Sequence, residues 1–258
     1  MLNFYQDGLI ILVATGAALL FWWVLQRIWP KELRRQHNDL IGWQLSILGT
    51  TYAVIIGFML YAVWTNFELA DVNAETEANN LVSLYKLADG MPADQRGKVQ
   101  ALSRAYVDAV LNHDWPNMDE GKQDFSDSHK VIDALWGVLL PVEADTKTYS
   151  ILYDHSLTEL RAMTEHRRLR ELESVSHLPG ILWVVLIAGA AITIMSSCMF
   201  GADNGTLHAF QVVSLTLLLT LVLVAIADIN RPFQGTVHVE PLGFNRAWVT
   251  MHEGAAGR

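Results

Sequence analysis

Apolar residues in this chain fall into long unbroken runs, separated by charged stretches with helical periodicity. Four runs are Gly8–Trp29, Ile41–Trp64, Ile181–Phe200 and Leu207–Ile229. Each is long enough to cross a hydrocarbon core of about 30 Å. The second passes without a helix breaker into an amphipathic stretch ending near Gly90-Met91-Pro92. Read as one helix over residues 41–89, it would be roughly 70 Å long at about 1.5 Å per residue. Its second half carries Glu68, Asp71, Glu75, Glu77 and Lys86, which cannot lie in lipid. The pattern therefore predicts a rod that couples a membrane span to a water-facing domain.

Between the second and third runs lies a polar segment of about 115 residues. Its periodicity predicts further helices after the one that continues the second span. Pro92 suits the first turn of the next, where its missing N–H is harmless. That helix carries Val99, Leu102, Tyr106 and Val110 on one stripe and is expected to end at Trp115-Pro116. A loop over Asn117–Gln123 precedes a helix from Asp127 to Leu140, with Val131, Leu135, Val138 and Leu139 on its apolar face and Pro141 closing it. A last helix is predicted from Asp145 to His177, with Tyr149, Leu152, Ser156, Leu160 and Met163 on its buried side. Pro179-Gly180 marks a break before the third span. The expected fold is an all-α integral membrane protein with four transmembrane helices and an extramembrane helical bundle between the second and third spans. Its parts are a first transmembrane hairpin (1–64), the helical domain (65–178), a second transmembrane hairpin (179–230) and a C-terminal tail (231–258).

Composition adjusts this picture at a few points. The chain is 52% hydrophobic with a net charge of −9, which argues against nucleic acid as a partner. Trp22, Trp23, Trp29, Trp43, Trp64 and Trp183 cluster near the span ends, as an interfacial aromatic belt does. No basic residue precedes the first run, and Pro30-Lys31-Glu32-Leu33-Arg34-Arg35 follows it, so it reads as a span and not as a cleaved signal. The lone cysteine, Cys198, falls inside the third span. Arg27, Lys31, Arg34 and Arg35 lie on one side of the membrane; Arg161, Arg167, Arg168, Arg170, Arg231 and Arg246 lie on the other. The positive-inside rule then leans towards a cytoplasmic central domain with both termini inside.

Candidate chemistry is sparse. The chain has no glycine-rich phosphate loop, His-Glu-x-x-His, Cys-x-x-Cys or nucleophile elbow. No enzyme is expected, and no cofactor or metal is implied. His113 with Asp114 is the nearest approach to a ligand pair, read as a solvated helix end. The run Glu165-His166-Arg167-Arg168-Leu169-Arg170-Glu171 reads as a solvated face with i,i+4 ion pairs. The second span holds Ser46, Gly49, Thr50, Thr51, Tyr52, Gly57 and Asn66; the third holds Thr193, Ser196 and Ser197; the fourth holds Gln211, Ser214, Thr216 and Thr220. Small and hydroxyl residues in spans serve close helix packing, with the lining of a wet cavity as the alternative. Asp228 sits at the end of the fourth span, where pairing with Arg231 or capping of a neighbouring helix is the ordinary role.

The stretch Gly49-Thr50-Thr51-Tyr52-Ala53-Val54-Ile55-Ile56-Gly57-Phe58, with Trp64 and the Glu77-Ala78 step, resembles the bestrophin-like family of bacterial membrane proteins. So do Tyr106, Trp115-Pro116 and Asp228-Ile229-Asn230-Arg231-Pro232-Phe233-Gln234-Gly235. The resemblance covers nearly the whole chain and extends distantly to the bestrophins proper, pentameric anion channels whose second span lines the pore neck. It implies a pore stripe of Thr50, Val54 and Phe58, with Gly57 before Phe58, and a structural or gating motif of Glu77, Trp115, Pro116, Asp228, Arg231, Pro232 and Phe233. It also implies a homo-oligomer, a pentamer by likeness, in the bacterial inner membrane, with anions such as chloride as the permeant species. Thr50 departs from the pattern, being polar where an apolar residue is expected. The acidic cluster of the calcium clasp of animal bestrophins is missing too, so calcium gating does not carry over. A non-conducting sensor or scaffold, binding a partner through the helical domain, is the competing expectation.

Overall fold

The protein's structure, a computed structural model, describes residues 4–140 and 146–253. Among these residues the regular structure is all helical: α1 (Phe4–Ile28), α2 (Lys31–Arg35), α3 (Asn38–Leu87), α4 (Ala93–Ala109), α5 (Trp115–Asp119), α6 (Ser126–Leu139), α7 (Lys147–Val175), α8 (Gly180–Cys198), α9 (Gly205–Ile229) and α10 (Leu242–His252). A 3₁₀ turn over Ala88–Gly90 follows α3, and a π turn over Val110–Asp114 joins α4 to α5. Four helices have the length and apolarity of membrane spans: α1, the first part of α3, α8 and α9. The chain divides into a membrane unit, Met1–Thr65 with His177–Asn230, and a helical unit, Asn66–Ser176 with the segment from Arg231 onward.

In the membrane unit, Tyr52, Ile56 and Val63 of α3 pack with Leu186 and Ala190 of α8 and Ile226 of α9. The Tyr52 hydroxyl donates to the Leu186 carbonyl at 2.6 Å. Gly189 makes room for that ring: a Cβ there would lie 2.5 Å from it. The loops at one end of the spans are clasped together. Asn38 Nδ2 donates to the Gly201 carbonyl (3.0 Å) and Asn38 Oδ1 accepts from the Gly201 N–H (2.9 Å). Arg34 is completely buried. Its guanidinium donates to the carbonyls of Cys198 (3.4 Å) and Phe200 (3.2 Å) at the end of α8 and to Gln26 Oε1 (2.7 Å). The end of a helix leaves carbonyls unpaired and carries partial negative charge, which is where a cation fits. The hydroxyls of the spans are largely satisfied within their own helices. Ser46 donates to the Gly42 carbonyl, Thr50 to Ser46, Thr193 to Gly189 and Thr216 to Val212, at 2.8–2.9 Å.

In the helical unit, Leu81 and Leu84 of α3, Val99, Tyr106 and Val107 of α4, Leu135 and Leu139 of α6, and Leu160 and Met163 of α7 form one core. Residues 231–253 join it through Phe233, Val239, Phe244, Ala247 and Met251, so part of the expected tail is core. Three further readings are corrected. Pro92 is the N-cap of α4 and not part of its first turn. The helix does not stop at Trp115-Pro116: the chain widens into the π turn and continues as α5 to Asp119, with Pro116 in its first turn. A proline cannot donate to the carbonyl four residues back. Placing it where a new helical segment begins removes that demand. On α7 the buried aromatic is Tyr153, and Tyr149 is exposed. Pro141 and Asp145, the expected helix end and start, lie outside the described residues. Thr146 caps α7 by accepting from the Tyr149 N–H at 3.3 Å.

Candidate functional site: an uncovered helix face and a buried charge cluster

In the membrane unit, α3 buries one face and leaves the other open. Thr50, Val54, Gly57 and Phe58 all lie on the open side, Val54 53% and Phe58 66% exposed. Ile47 and Tyr61 extend the same stripe at spacings of three and four residues. No side chain of the same protomer covers this apolar strip among the described residues. The Thr50 hydroxyl donates to the Ser46 carbonyl at 2.8 Å, which reduces the polarity of the residue that departs from an apolar stripe.

The helical unit is organised around Arg170 of α7, which has no exposed surface. Its Nε donates to Glu77 Oε2 at 2.8 Å, and its Nη2 donates to Glu77 Oε1 and Asp114 Oδ2, both at 3.1 Å. Nη1 points at Met118 Sδ, 3.6 Å away. The guanidinium lies over the rings of Trp115 (5.8 Å) and Phe244 (5.9 Å), a cation–π arrangement strengthened by desolvation. Glu77 Oε1 also accepts from the Tyr106 hydroxyl at 2.5 Å. Glu77 and Asp114 are as deeply buried as Arg170. Burial alone would pull the Arg170 pKa down, but Glu77 and then Tyr106 and Asp114 hold it well above its ordinary value. Burial, reinforced by the Glu77 charge, pushes the Tyr106 phenol well above its usual range. A chain of charge-assisted bonds thus ties α3, α4, the π turn and α7 together. Four of the five N–H groups of Arg170 are engaged, one of them by the weak acceptor Met118 Sδ, and no surface of the residue is exposed, so the cluster acts as a structural pin.

This cluster overturns two sequence readings. Arg167 and Arg170 belong to no solvated face: Arg167 is 8% exposed and pairs with Glu171 at 2.8 Å. Asp114 is not a solvated helix end, because the π turn rotates it inward while His113 stays exposed, 3.8 Å from Asp127. A signal for the arginines was present in the sequence. The buried stripe Tyr153, Ser156, Leu160, Met163 continues in phase to Arg167 and Arg170.

Of the expected structural motif, the fold brings Glu77, Trp115 and Phe233 together. Trp115 packs edge-on against Phe233, with ring centroids 5.5 Å apart. Pro116 lies in the first turn of α5. Pro232 is buried, and its carbonyl accepts from the Val239 N–H at 2.7 Å, closing the turn that feeds α10. Arg231 is exposed. Asp228 is partly buried in the last turn of α9. Among the described residues, no three His, Cys, Asp or Glu side chains converge on a metal-sized site.

Four membrane-length helices and a helical domain pinned by a buried ion pair define a polytopic α-helical membrane protein. The profile of the Bestrophin-like domain matches residues 12–244, and the chain belongs to that family. Among solved structures, it is similar to a bacterial bestrophin homolog from Klebsiella pneumoniae, with a TM-score of 0.71 at 13% identity over 95% of this chain and 98% of the other. A single-residue variant of that homolog gives 0.70 at 15% identity, over 93% and 98%. A structure described as a membrane protein with one glycine-to-alanine substitution gives a TM-score of 0.72 at 13% identity, over 95% of this chain and 98% of the other. Identities this low establish a shared fold and leave activity to be argued separately. No curated protein matches the chain.

Proposed function

We propose that the protein is a homo-oligomeric ion channel, anion-selective and pentameric by likeness to the bestrophins, with α3 of each protomer facing a common axis. The observation that carries this reading is the open stripe of Ile47, Thr50, Val54, Phe58 and Tyr61 on α3. A contiguous apolar face of this length needs a cover of lipid or of other copies. Around an axis, Val54 and Phe58 would form narrow apolar rings of the kind that gate by dewetting and need not bind ions. Gly57 would let neighbouring backbones approach beside Phe58. Anion preference would rest on helix dipoles, backbone N–H groups or basic residues at the mouths. In this reading the protein sits in the bacterial inner membrane with the helical unit in the cytoplasm.

Planar-bilayer recording of purified protein across a chloride gradient tests the proposal, with Phe58→Ala recorded alongside. Discrete openings whose reversal potential follows chloride, altered by the substitution, support it. A silent bilayer with well-folded oligomer overturns it and favours a non-conducting sensor or scaffold acting through the helical unit.

A further inference from the structure

In the helical unit the buried charges Glu77, Asp114 and Arg170 are held as ion pairs, whereas in the membrane unit the buried Arg34 and His208 are held by neutral groups. His208, in the first turn of α9, is 2% exposed and, among the described residues, pairs with no charge. The Trp22 indole N–H of α1 donates to its Nδ1 at 3.0 Å, and its Nε2 lies 3.0 Å from the Ser197 carbonyl of α8. Both partners have fixed polarity. An indole nitrogen only donates and a backbone carbonyl only accepts. The ring must therefore be neutral, with its hydrogen on Nε2 and a lone pair on Nδ1. The two rings meet edge to face, with centroids 6.0 Å apart at 80°.

We propose that Nδ1 of His208 is a proton-binding site closed by the Trp22 indole N–H, and that loading it undoes the polar tie between α1 and α9. Histidine is the side chain suited to this, because it changes charge near neutral pH. A proton on Nδ1 sets N–H against N–H, so Trp22 must withdraw. It also puts a second positive charge near Arg34 of α2, the charged group facing the ring. From α8, the Cys198 thiol lies in the same buried cluster as Trp22 and offers no negative charge at neutral pH. The Ser197 carbonyl would still accept from Nε2 of an imidazolium, but the Trp22 N–H then faces a second donor, so the proton is taken up only with local rearrangement. The bond arrangement thus converts acidification into a loosening of α1, whether or not the protein conducts.

The test uses the full chain in detergent and does not depend on conductance. Histidine nitrogen NMR near pH 8 should show His208 protonated at Nε2 and bare at Nδ1; the opposite tautomer overturns the proposal. On acidification from about pH 7 to about pH 5, the thermal midpoint should fall by a few degrees, and that fall should be absent in His208→Gln. In Trp22→Phe, which removes the opposing donor, the acid inflection should move up by about one pH unit, a tenfold easier protonation. Identical acid profiles in the wild type and His208→Gln, or an unmoved inflection in Trp22→Phe, would sink the idea. If either variant fails to fold, titration of the wild-type His208 resonances decides. Ionisation accompanied by a shift of the Trp22 indole signal supports the proposal, and a Trp22 signal unchanged through the titration refutes it.

Discussion

Arg170 holds two buried carboxylates, so its removal strands both. Arg170→Ala is expected to destabilise the helical unit by about 3–5 kcal/mol, the penalty of an uncompensated buried charge. Denaturant titration of the solubilised protein, followed by circular dichroism, measures it. Glu77→Gln keeps the shape and the Tyr106 contact but removes one charge, and should cost less than Arg170→Ala. Equal losses would mean that packing and not charge dominates. Tyr106 was legible from its place on an apolar stripe; Arg170 was not. A charged run is ordinarily a solvated face, and the partner that reverses this, Glu77, lies 93 positions away in sequence. Only the phase of the arginines with Leu160 and Met163 hinted at burial.

At the level of elements, α3 gives the clearest contrast because its two faces have opposite surroundings. Ile56→Ala removes a buried side chain beside Leu186 and should cost about 2–5 kcal/mol in the folded protomer. Phe58→Ala cuts a side chain that the protomer leaves two-thirds exposed. Its effect on protomer stability should be small, within about 0.5 kcal/mol. A loss as large as that of Ile56→Ala, measured in a preparation shown to be oligomeric, would reveal that another copy covers the face. The run over residues 41–89, close to the observed α3, was readable as one helix because no proline interrupts it and its hydrophobicity shifts from continuous to periodic. The π turn was not. Trp115-Pro116 reads as a stop when proline is assumed to end a helix, and a one-residue widening that resets the ladder before Pro116 has no sequence marker of its own.

For the whole molecule, four spans and an all-helical architecture followed from the lengths of the apolar runs, whereas the incorporation of residues 231–253 into the helical unit did not. Phe233, Phe244 and Met251 are too widely spaced to announce a core element, and they become one only against α3 and α4. That core also holds a group that makes stability depend on alkaline pH. The folded pKa of Tyr106 is raised above its unfolded value of about 10, so the unfolded chain ionises first. Its contribution is complete below about pH 10 and is lost as pH rises beyond that. Absorbance of the phenolate should therefore show a component that ionises only together with unfolding of the helical unit, and Tyr106→Phe should reduce it by one tyrosine. The membrane unit carries a different signature. The hydroxyls of Ser46 and Thr50 spend their hydrogens on their own backbone, so they turn only lone pairs outward. Water or a cation passing that face would meet a ready acceptor, whereas an anion would first have to break a hydrogen bond worth about 1 kcal/mol. If chloride passes this helix, what attracts it must lie elsewhere along its path, and Thr50→Val should alter conductance more than ion preference.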